Sequence, residues 1–373
     1  MNPVFHAFRP GLIAPAILLA AFAASAWAKD PPAIEKLRVP AGFHVTVYSA
    51  DVPNARALAI GSKGTVFVGS RSAGKVYALS DADHDGRAEK SRVIAAGLNM
   101  PVGVAYHNGD LYISAVSQIL ALRDIEEHLD QAPGLEMVVS DLPSETHHGW
   151  KFIAFGPDGK LYVPIGAPCN ICDRNGYAKI VRMDADGSHR EDVAFGIRNT
   201  VGFDWQPGTK QLWFTDNGRD LLGDDLPSDE LNRLSRIGEH FGYPYCHQGD
   251  TLDPEFGKGK SCRDYTPPAQ RLGAHVAALG MRFYAGKMFP SAYHGAAIIA
   301  EHGSWNRTEK AGYRVMTARI DGARVVGYEP LIEGFMADEK SWGRPVDVLV
   351  MPDGALLVSD DQAGAVYRLT YSR

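Results

Sequence analysis

The chain of 373 residues is 45% hydrophobic and 22% charged, too apolar for a disordered segment and long enough to bury a sizeable core. Its 39 glycines and 23 prolines suit short strands and turns, which argues against an all-helical fold. A formal charge of −6, with no long run of lysine or arginine, gives no support to nucleic-acid binding.

The first segment reads as an export signal. Arg9 supplies the positive start, Gly11 to Ala24 is apolar and free of charge, and Ala26-Trp27-Ala28 has the small-x-small pattern of a cleavage site. Residues 1–28 are expected to be removed, leaving 29–373 as one domain in the periplasm or outside the cell. The apolar stretch is shorter than the ~20 residues of a membrane span, and no later segment is long enough for one. Export implies oxidising conditions for the four cysteines. Cys169 with Cys172 and Cys246 with Cys262 close the shortest loops and are read as structural bridges, with a zinc site as the alternative. Asp173 follows Cys172, so the histidine of a haem-attachment motif is missing.

Beyond the signal, the sequence repeats itself. Val66 to Leu79 parallels Leu356 to Leu369, each a strand, a turn containing glycine and a second strand. A glycine turn followed by an apolar-aromatic strand recurs at Gly64 to Val68, Gly109 to Ile113, Pro157 to Val163, Pro207 to Phe214, Gly295 to Ala300 and Pro352 to Leu357. Six such units over residues 29–373 allow roughly 57 residues each, enough for four strands and their loops. The fold expected is all-β, a six-bladed β-propeller. Phe43 to Tyr48 alternates like a strand and is placed to pair with Val366 to Thr370, closing the ring. Leu122, Ile125 and Leu129 suggest one short amphipathic helix, and Asp216 to Pro268 reads as a long insertion.

Residues able to carry chemistry sit between these strands. Asp81-Ala82-Asp83-His84-Asp85-Gly86 matches the first half of a calcium loop, but Arg92 stands where such a loop carries glutamate, so a polar turn is preferred. Ser144 to Lys151 holds two adjacent histidines, His147 and His148, beside Trp150. Imidazole titrates near neutral pH and suits a general base. Arg198-Asn199 precedes the fourth repeat strand, where other units carry apolar or small residues, and a guanidinium there suits a carboxylate or quinone oxygen. After that strand, Asp216 to Asp220, Asp224-Asp225 and Asp229-Glu230 crowd oxygen donors that suit calcium, or else form a solvated acidic loop.

Taken in order, His148-Gly149-Trp150 before Gly156-Pro157-Asp158-Gly159, then Gly196-Ile197-Arg198-Asn199, Asp216-Asn217-Gly218-Arg219-Asp220 and Gly343-Arg344-Pro345-Val346-Asp347-Val348 resemble the glucose/sorbosone dehydrogenase family. His302-Gly303-Ser304-Trp305-Asn306-Arg307, Gly242 to Cys246 and Leu226 to Asn232 look like its L-sorbosone dehydrogenase branch in particular. The resemblance covers most of the chain after the signal. It implies a six-bladed propeller that uses pyrroloquinoline quinone (PQQ) and Ca2+ to oxidise an aldose such as glucose or sorbosone. The family's catalytic histidine falls on His148, its cofactor-binding pair on Arg198 and Asn199, and its main-chain calcium ligands near Gly218 and Arg219. A further cofactor-contacting arginine matches Arg344, with Val346 where the glucose enzymes carry another arginine. Their cofactor-binding lysine has no clean counterpart, so Lys151 and Arg307 are the substitutes considered, and Arg71 would join the anion site. Without a haem motif, the electrons would need an external acceptor, a cytochrome or a quinone. Two other functions stay open: a propeller lactonase or esterase holding a metal by side chains, and a non-catalytic carbohydrate-binding propeller.

Overall fold

Around a common axis, six antiparallel sheets repeat the strand–turn–strand units of the sequence. The computed structural model describes residues 1, 3, 4 and 32–372, and the expected export segment from Gly11 to Ala28 lies outside them. The first blade is Ala55–Ile60, Val66–Ser70, Val76–Ser80 and Lys90–Ala95; the second is Val104–His107, Asp110–Ala115, Gln118–Leu122 and Glu136–Val139. Ala154–Phe155, Leu161–Ile165, Lys179–Met183 and Glu191–Phe195 form the third, and Phe203–Trp205, Leu212–Asp216, Ser228–Arg233 and Gln270–Ala274 the fourth. The fifth runs Ala278–Phe283, Ala297–Glu301, Arg314–Asp321, Arg324–Ile332. The sixth joins Pro345–Val350, Leu356–Asp360 and Ala365–Tyr371 to Phe43–Ser49 from the other end of the chain.

The protein is therefore an all-β, six-bladed β-propeller, and each glycine-turn strand of the repeat is the second strand of a blade. The two segments that parallel one another in sequence share a register, Val66 facing Leu79 and Leu356 facing Leu369. Phe43 pairs with Tyr371 and Ser49 with Val366, so the ring closes where the alternation of Phe43 to Tyr48 placed the closure. Both cysteine pairs are disulfides, Cys169–Cys172 and Cys246–Cys262. No helix among the described residues is long and apolar enough to cross a membrane.

Two expectations need correction. The helix predicted from Leu122, Ile125 and Leu129 is only a 3-10 turn, Ile125–Glu127, because Leu122 ends a strand and Asp124 adopts a left-handed φ of 46°. The insertion predicted from Asp216 to Pro268 contains a blade strand, Ser228–Arg233. What is inserted follows it: Glu239–His240 adds in parallel to the outer strand of the third blade, and Cys246–His247 pairs with Thr251–Leu252 in a small ribbon.

Blades bury apolar side chains on both faces, so their second strands are buried throughout. Ala105, Tyr112 and Ile119 of the second blade pack with Leu161, Val163 and Val181 of the third, and Trp213 and Leu231 of the fourth pack with Met281 and Ile299 of the fifth. Near the axis the contacts become polar. Ser114 Oγ donates to Lys151 O across the blade boundary (2.6 Å) and accepts from Gly103 N (2.9 Å). Thr215 Oγ1 donates likewise to Leu279 O, and Ser359 Oγ to Arg56 O, both at 2.6 Å. Gly103 must be glycine here, since a Cβ would lie 2.2 Å from Lys151 O. Asp347 of the sixth blade adds a third kind of link, accepting from Leu58 N (2.9 Å) and from Arg282 Nη2 of the fifth (3.2 Å).

Ser114 is buried to 1% exposure, so Ser114→Ala leaves Gly103 N and Lys151 O without this partner in a dry place. The expected cost is about 1–3 kcal/mol, read as a lowered urea midpoint with an unchanged slope.

Candidate functional site

The loops that enter the inner strands and leave the second strands converge on a cavity of about 580 Å³. The third blade contributes the stretch before its first strand, Thr146 to Trp150; the fourth contributes Arg198, Asn199, Asn217, Gly218 and Asp220. His302, Trp305 and Asn306 come from the fifth blade, Arg56 and Arg71 from the first, and Arg344 from the sixth.

His148 is held in one orientation. Its backbone is left-handed (φ 50°), and Gly166 packs so closely that a Cβ there would lie 2.7 Å from His148 Cβ. Nδ1 lies 2.8 Å from Ala167 O. A carbonyl only accepts, so Nδ1 carries the proton and, in the neutral ring, Nε2 is the bare nitrogen. Burial pushes the imidazole well below its ordinary pKa, and the nearby charge of Arg198 adds to the effect. His147, whose ring is 4.1 Å from that of His148, is lowered for the same two reasons.

Four arginines line the cavity, and they differ in how they are compensated. Arg56 pairs with Asp361 at 2.9 Å and Arg198 with Asp220 at 2.8 Å. Arg344 donates to the carbonyls of His302 (3.0 Å) and Gly303 (2.6 Å). Arg71 lies 4.0 Å over the ring of Trp150. Neither Arg344 nor Arg71 is in an ion pair among the described residues, so the cavity carries uncompensated positive charge. Desolvation by burial is the main force lowering the Arg71 pKa, and the charge of Arg56 works in the same direction. Three lining residues also present buried polar atoms without hydrogen-bond partners: Arg56 Nε, Trp150 Nε1, and both polar atoms of the Asn306 amide.

Beside Arg198 the wall is built of oxygen. Asp216 accepts from the main-chain N–H of Arg198 and Asn199 (2.9 and 2.6 Å), and Asp229 from that of Gly218 (2.8 Å). Burial pushes Asp216 and Asp229 up to about 7, and Glu230 beside them to about 8. Gly218 and Arg219 both line a small space next to the main cavity, and Gly218 borders the two. Among the described residues neither of their carbonyls accepts a hydrogen bond.

The structure thus brings together His148, Arg71, Arg198, Asn199, Arg344 and Gly218. It does not bring Lys151, Arg307 or the Arg219 side chain into the main cavity. Lys151 Nζ is buried and donates to Val116 O and Gly149 O (2.5 and 2.6 Å), holding the histidine loop from behind. Arg307 donates to Asp224 O and pairs with Asp225, tying two rim loops together. Arg219 pairs with Asp253 and Glu255. The Asp81, Asp83 and Asp85 carboxylates, with Glu89, cluster within 4.8 Å between outer strands, where they accept from main-chain N–H groups of their own turn. Sequence reasoning missed Arg56, whose only signal is one charge inside the apolar run Ala55 to Ile60, and the His302–Asp361 pair (2.8 Å). Burial takes His302 down to about 4.

A family profile described as a domain of unknown function, DUF7133, matches residues 31–367. The chain belongs to the DUF7133 family. An uncharacterized protein of Borreliella burgdorferi is 33% identical over 353 residues, 90% of this chain and 91% of that one. Among solved structures, the calcium structure of a Trichoderma reesei carbohydrate-active enzyme of family AA12 superposes with a TM-score of 0.80 at 20% identity, covering 92% of this chain and 98% of that one. The holo form of the PQQ domain of pyranose dehydrogenase from Coprinopsis cinerea superposes at 0.76 and 19% identity, covering 90% and 97%. At these identities the likeness establishes that this DUF7133 protein shares their fold.

The buried His148 makes stability depend on pH. An unfolded imidazole takes up its proton near 6.5, whereas the folded one stays neutral to well below that value. Below pH 6.5 the unfolded state therefore binds more protons, and stability falls with pH by up to about 1.4 kcal/mol per unit from this residue. Urea unfolding at pH 7, 6 and 5 should show a steeper loss for the wild type than for His148→Asn.

Proposed function

We propose that the protein is a quinoprotein oxidoreductase that oxidises the anomeric hydroxyl or the aldehyde of an aldose. PQQ and Ca2+ are its cofactors, and a sorbosone- or glucose-like sugar is its substrate. The observation that carries this reading is a neutral histidine with a bare Nε2 in a cavity whose Arg71 and Arg344 lack carboxylate partners among the described residues. Solved structures of the same fold carry PQQ and calcium in their descriptions, which supports the choice of cofactors.

The residues present fit such a group. PQQ bears three carboxylates, and the cavity offers two uncompensated guanidiniums together with the unpartnered donors Trp150 Nε1, Arg56 Nε and the Asn306 amide. Arg71, Arg198, Asn199 and Arg344 would hold it, with Arg56 added. Calcium favours oxygen donors, and the free carbonyls of Gly218 and Arg219 supply them. When bound, the quinone would supply a two-electron acceptor and the calcium the positive charge that polarises it. His148 Nε2 takes the proton of the substrate hydroxyl, and the Ala167 carbonyl stabilises the imidazolium that results through Nδ1–H. Lys151 serves the same step from outside by tying Gly149, next to His148, to Val116 of the second blade.

The L-sorbosone branch is the preferred substrate group, on the strength of His302 to Arg307 and Leu226 to Asn232. The electrons pass to an external cytochrome or quinone. Two disulfides fit an oxidising compartment, and the place proposed for the protein is the periplasm or the exterior. A lactonase would need side-chain metal ligands converging on the cavity. Among the described residues the group with that spacing is Asp81, Asp83, Asp85 and Glu89, and none of these lines the cavity.

Titrating the purified protein with PQQ should shift the quinone absorption only when calcium is present; an equal shift in excess chelator would remove calcium from the site. His148→Ala should keep quinone binding and lower kcat by about 10²–10⁴-fold, with His147→Ala costing much less. Turnover by the wild type should persist below pH 6.5, because His148 stays unprotonated there.

A further inference from the structure

The short disulfide turn Cys169-Asn170-Ile171-Cys172 sits outside the machinery considered so far, yet one of its residues touches two parts of it. Arg198 Nε donates to Asn170 O (2.9 Å) and Arg198 Nη2 to Asn170 Oδ1 (3.0 Å). The same amide reaches a second chain segment, with Oδ1 accepting from Asp220 N (2.8 Å) and Nδ2 donating to Asp220 O (3.0 Å). Asp220 in turn pairs with Arg198, and Arg198 Nη1 donates to Asn217 O (3.2 Å). Three segments about 20 to 50 residues apart thus meet on one asparagine.

We propose that Asn170 is the positioning residue that sets Arg198 and the main chain 217–220 in the relation cofactor binding requires, and that the Cys169–Cys172 disulfide holds Asn170 in place. The proposal rests on the quinoprotein reading for its consequence and on the hydrogen bonds for its mechanism. The 217–220 run is fixed at both ends. Arg198 and Asn199 take the main-chain groups of Asn217 and Asp229 the N–H of Gly218 at one, and Asn170 takes both main-chain groups of Asp220 at the other. Between them lie the Gly218 and Arg219 carbonyls, which accept nothing from the protein among the described residues. A pair of carbonyls aimed at a cation needs its peptide planes fixed, and both ends of a short irregular run must be tied for that.

The disulfide supplies the rigidity of the clamp itself. Asn170 is only half-buried in an irregular connection between Leu161–Ile165 and Lys179–Met183, where an untethered turn would sample many conformations. Cross-linking its flanking cysteines removes most of that freedom, and Cys172 N donates to Tyr243 OH (3.0 Å), anchoring the far side of the turn.

Asn170→Ala and the double variant Cys169→Ser/Cys172→Ser test this in two arms. In a crystal structure of the ligand-free Asn170→Ala protein, Arg198 and Asp220 are expected to shift from their present contacts; an unmoved pair overturns the positioning role whatever the protein binds. In solution, calorimetric titration with calcium and spectral titration with PQQ should give affinities about 10- to 100-fold weaker in both variants. The melting temperature of the ligand-free Asn170→Ala protein should stay close to wild type, which separates positioning from general damage. Wild-type affinity in Asn170→Ala overturns the inference. A wild-type protein that binds no quinone overturns the functional reading instead, and the crystal structure then decides the positioning role by itself.

Discussion

At three of the six junctions, neighbouring blades are joined near the axis by a hydroxyl group, and the rest of the molecule depends on that spacing. Ser114, Thr215 and Ser359 each sit on a second strand and each donate to a main-chain oxygen of the following blade. Such a bond works only if the two backbones come within a side chain's reach, which is why Gly103 carries no Cβ at the Ser114 junction. Apolar packing between blades is adaptable to changes of side chain that keep volume and pattern. A buried hydroxyl between two main-chain groups is not, because a misplaced partner stays unsatisfied. The loops that build the cavity adjoin the first and second strands of the blades, so the accuracy of the stitching becomes the accuracy with which residues from distant blades meet.

What those loops assemble is a place where burial works against charge. The cavity keeps Arg71 and Arg344 without carboxylates while the wall beside Arg198 keeps Asp216, Asp229 and Glu230 in a dry setting that favours their neutral forms. Each side is costly alone. On the quinoprotein reading proposed above, an anionic ligand against the arginines and a cation against the oxygen wall would relieve both together, and each would then favour binding of the other. His148 gains from the same dryness, since a neutral ring with its Nδ1 proton committed to Ala167 is already in the form a base requires.

The fold was legible because its signal is repeated: six glycine turns each followed by an apolar-aromatic strand leave few architectures open. The third strand of the fourth blade escaped notice because Ser228 to Arg233 carries Asp229 and Glu230 where its siblings carry aliphatics. These acids are buried by main-chain N–H groups, which leave no hydrophobic period to read. At the site, Arg198 stood out as a charged residue at a point where other units carry apolar or small ones, His148 as one of two adjacent histidines, and Arg344 only through the family resemblance. Arg56 did not, since its partner Asp361 lies 305 residues away and nothing in the local sequence announces the meeting. Lys151 and Arg307 were placed by charge alone, and charge does not reveal that nearby carbonyls already occupy them.

The pairing of Phe43–Ser49 with Ala365–Tyr371 has a consequence in time. Of the described blade strands, the first in the chain, an outer strand of the sixth blade, pairs with the last. Until Ala365–Tyr371 is made, Phe43 lacks the ring of Tyr371 that joins Phe289 in covering it in the finished ring, and the edge of that strand has nothing to pair with. Contacts of such long range are slow to form, and an unpaired edge invites association with other chains. A cell making this protein must therefore keep the edge of Phe43–Ser49 from other partners until Ala365–Tyr371 is made.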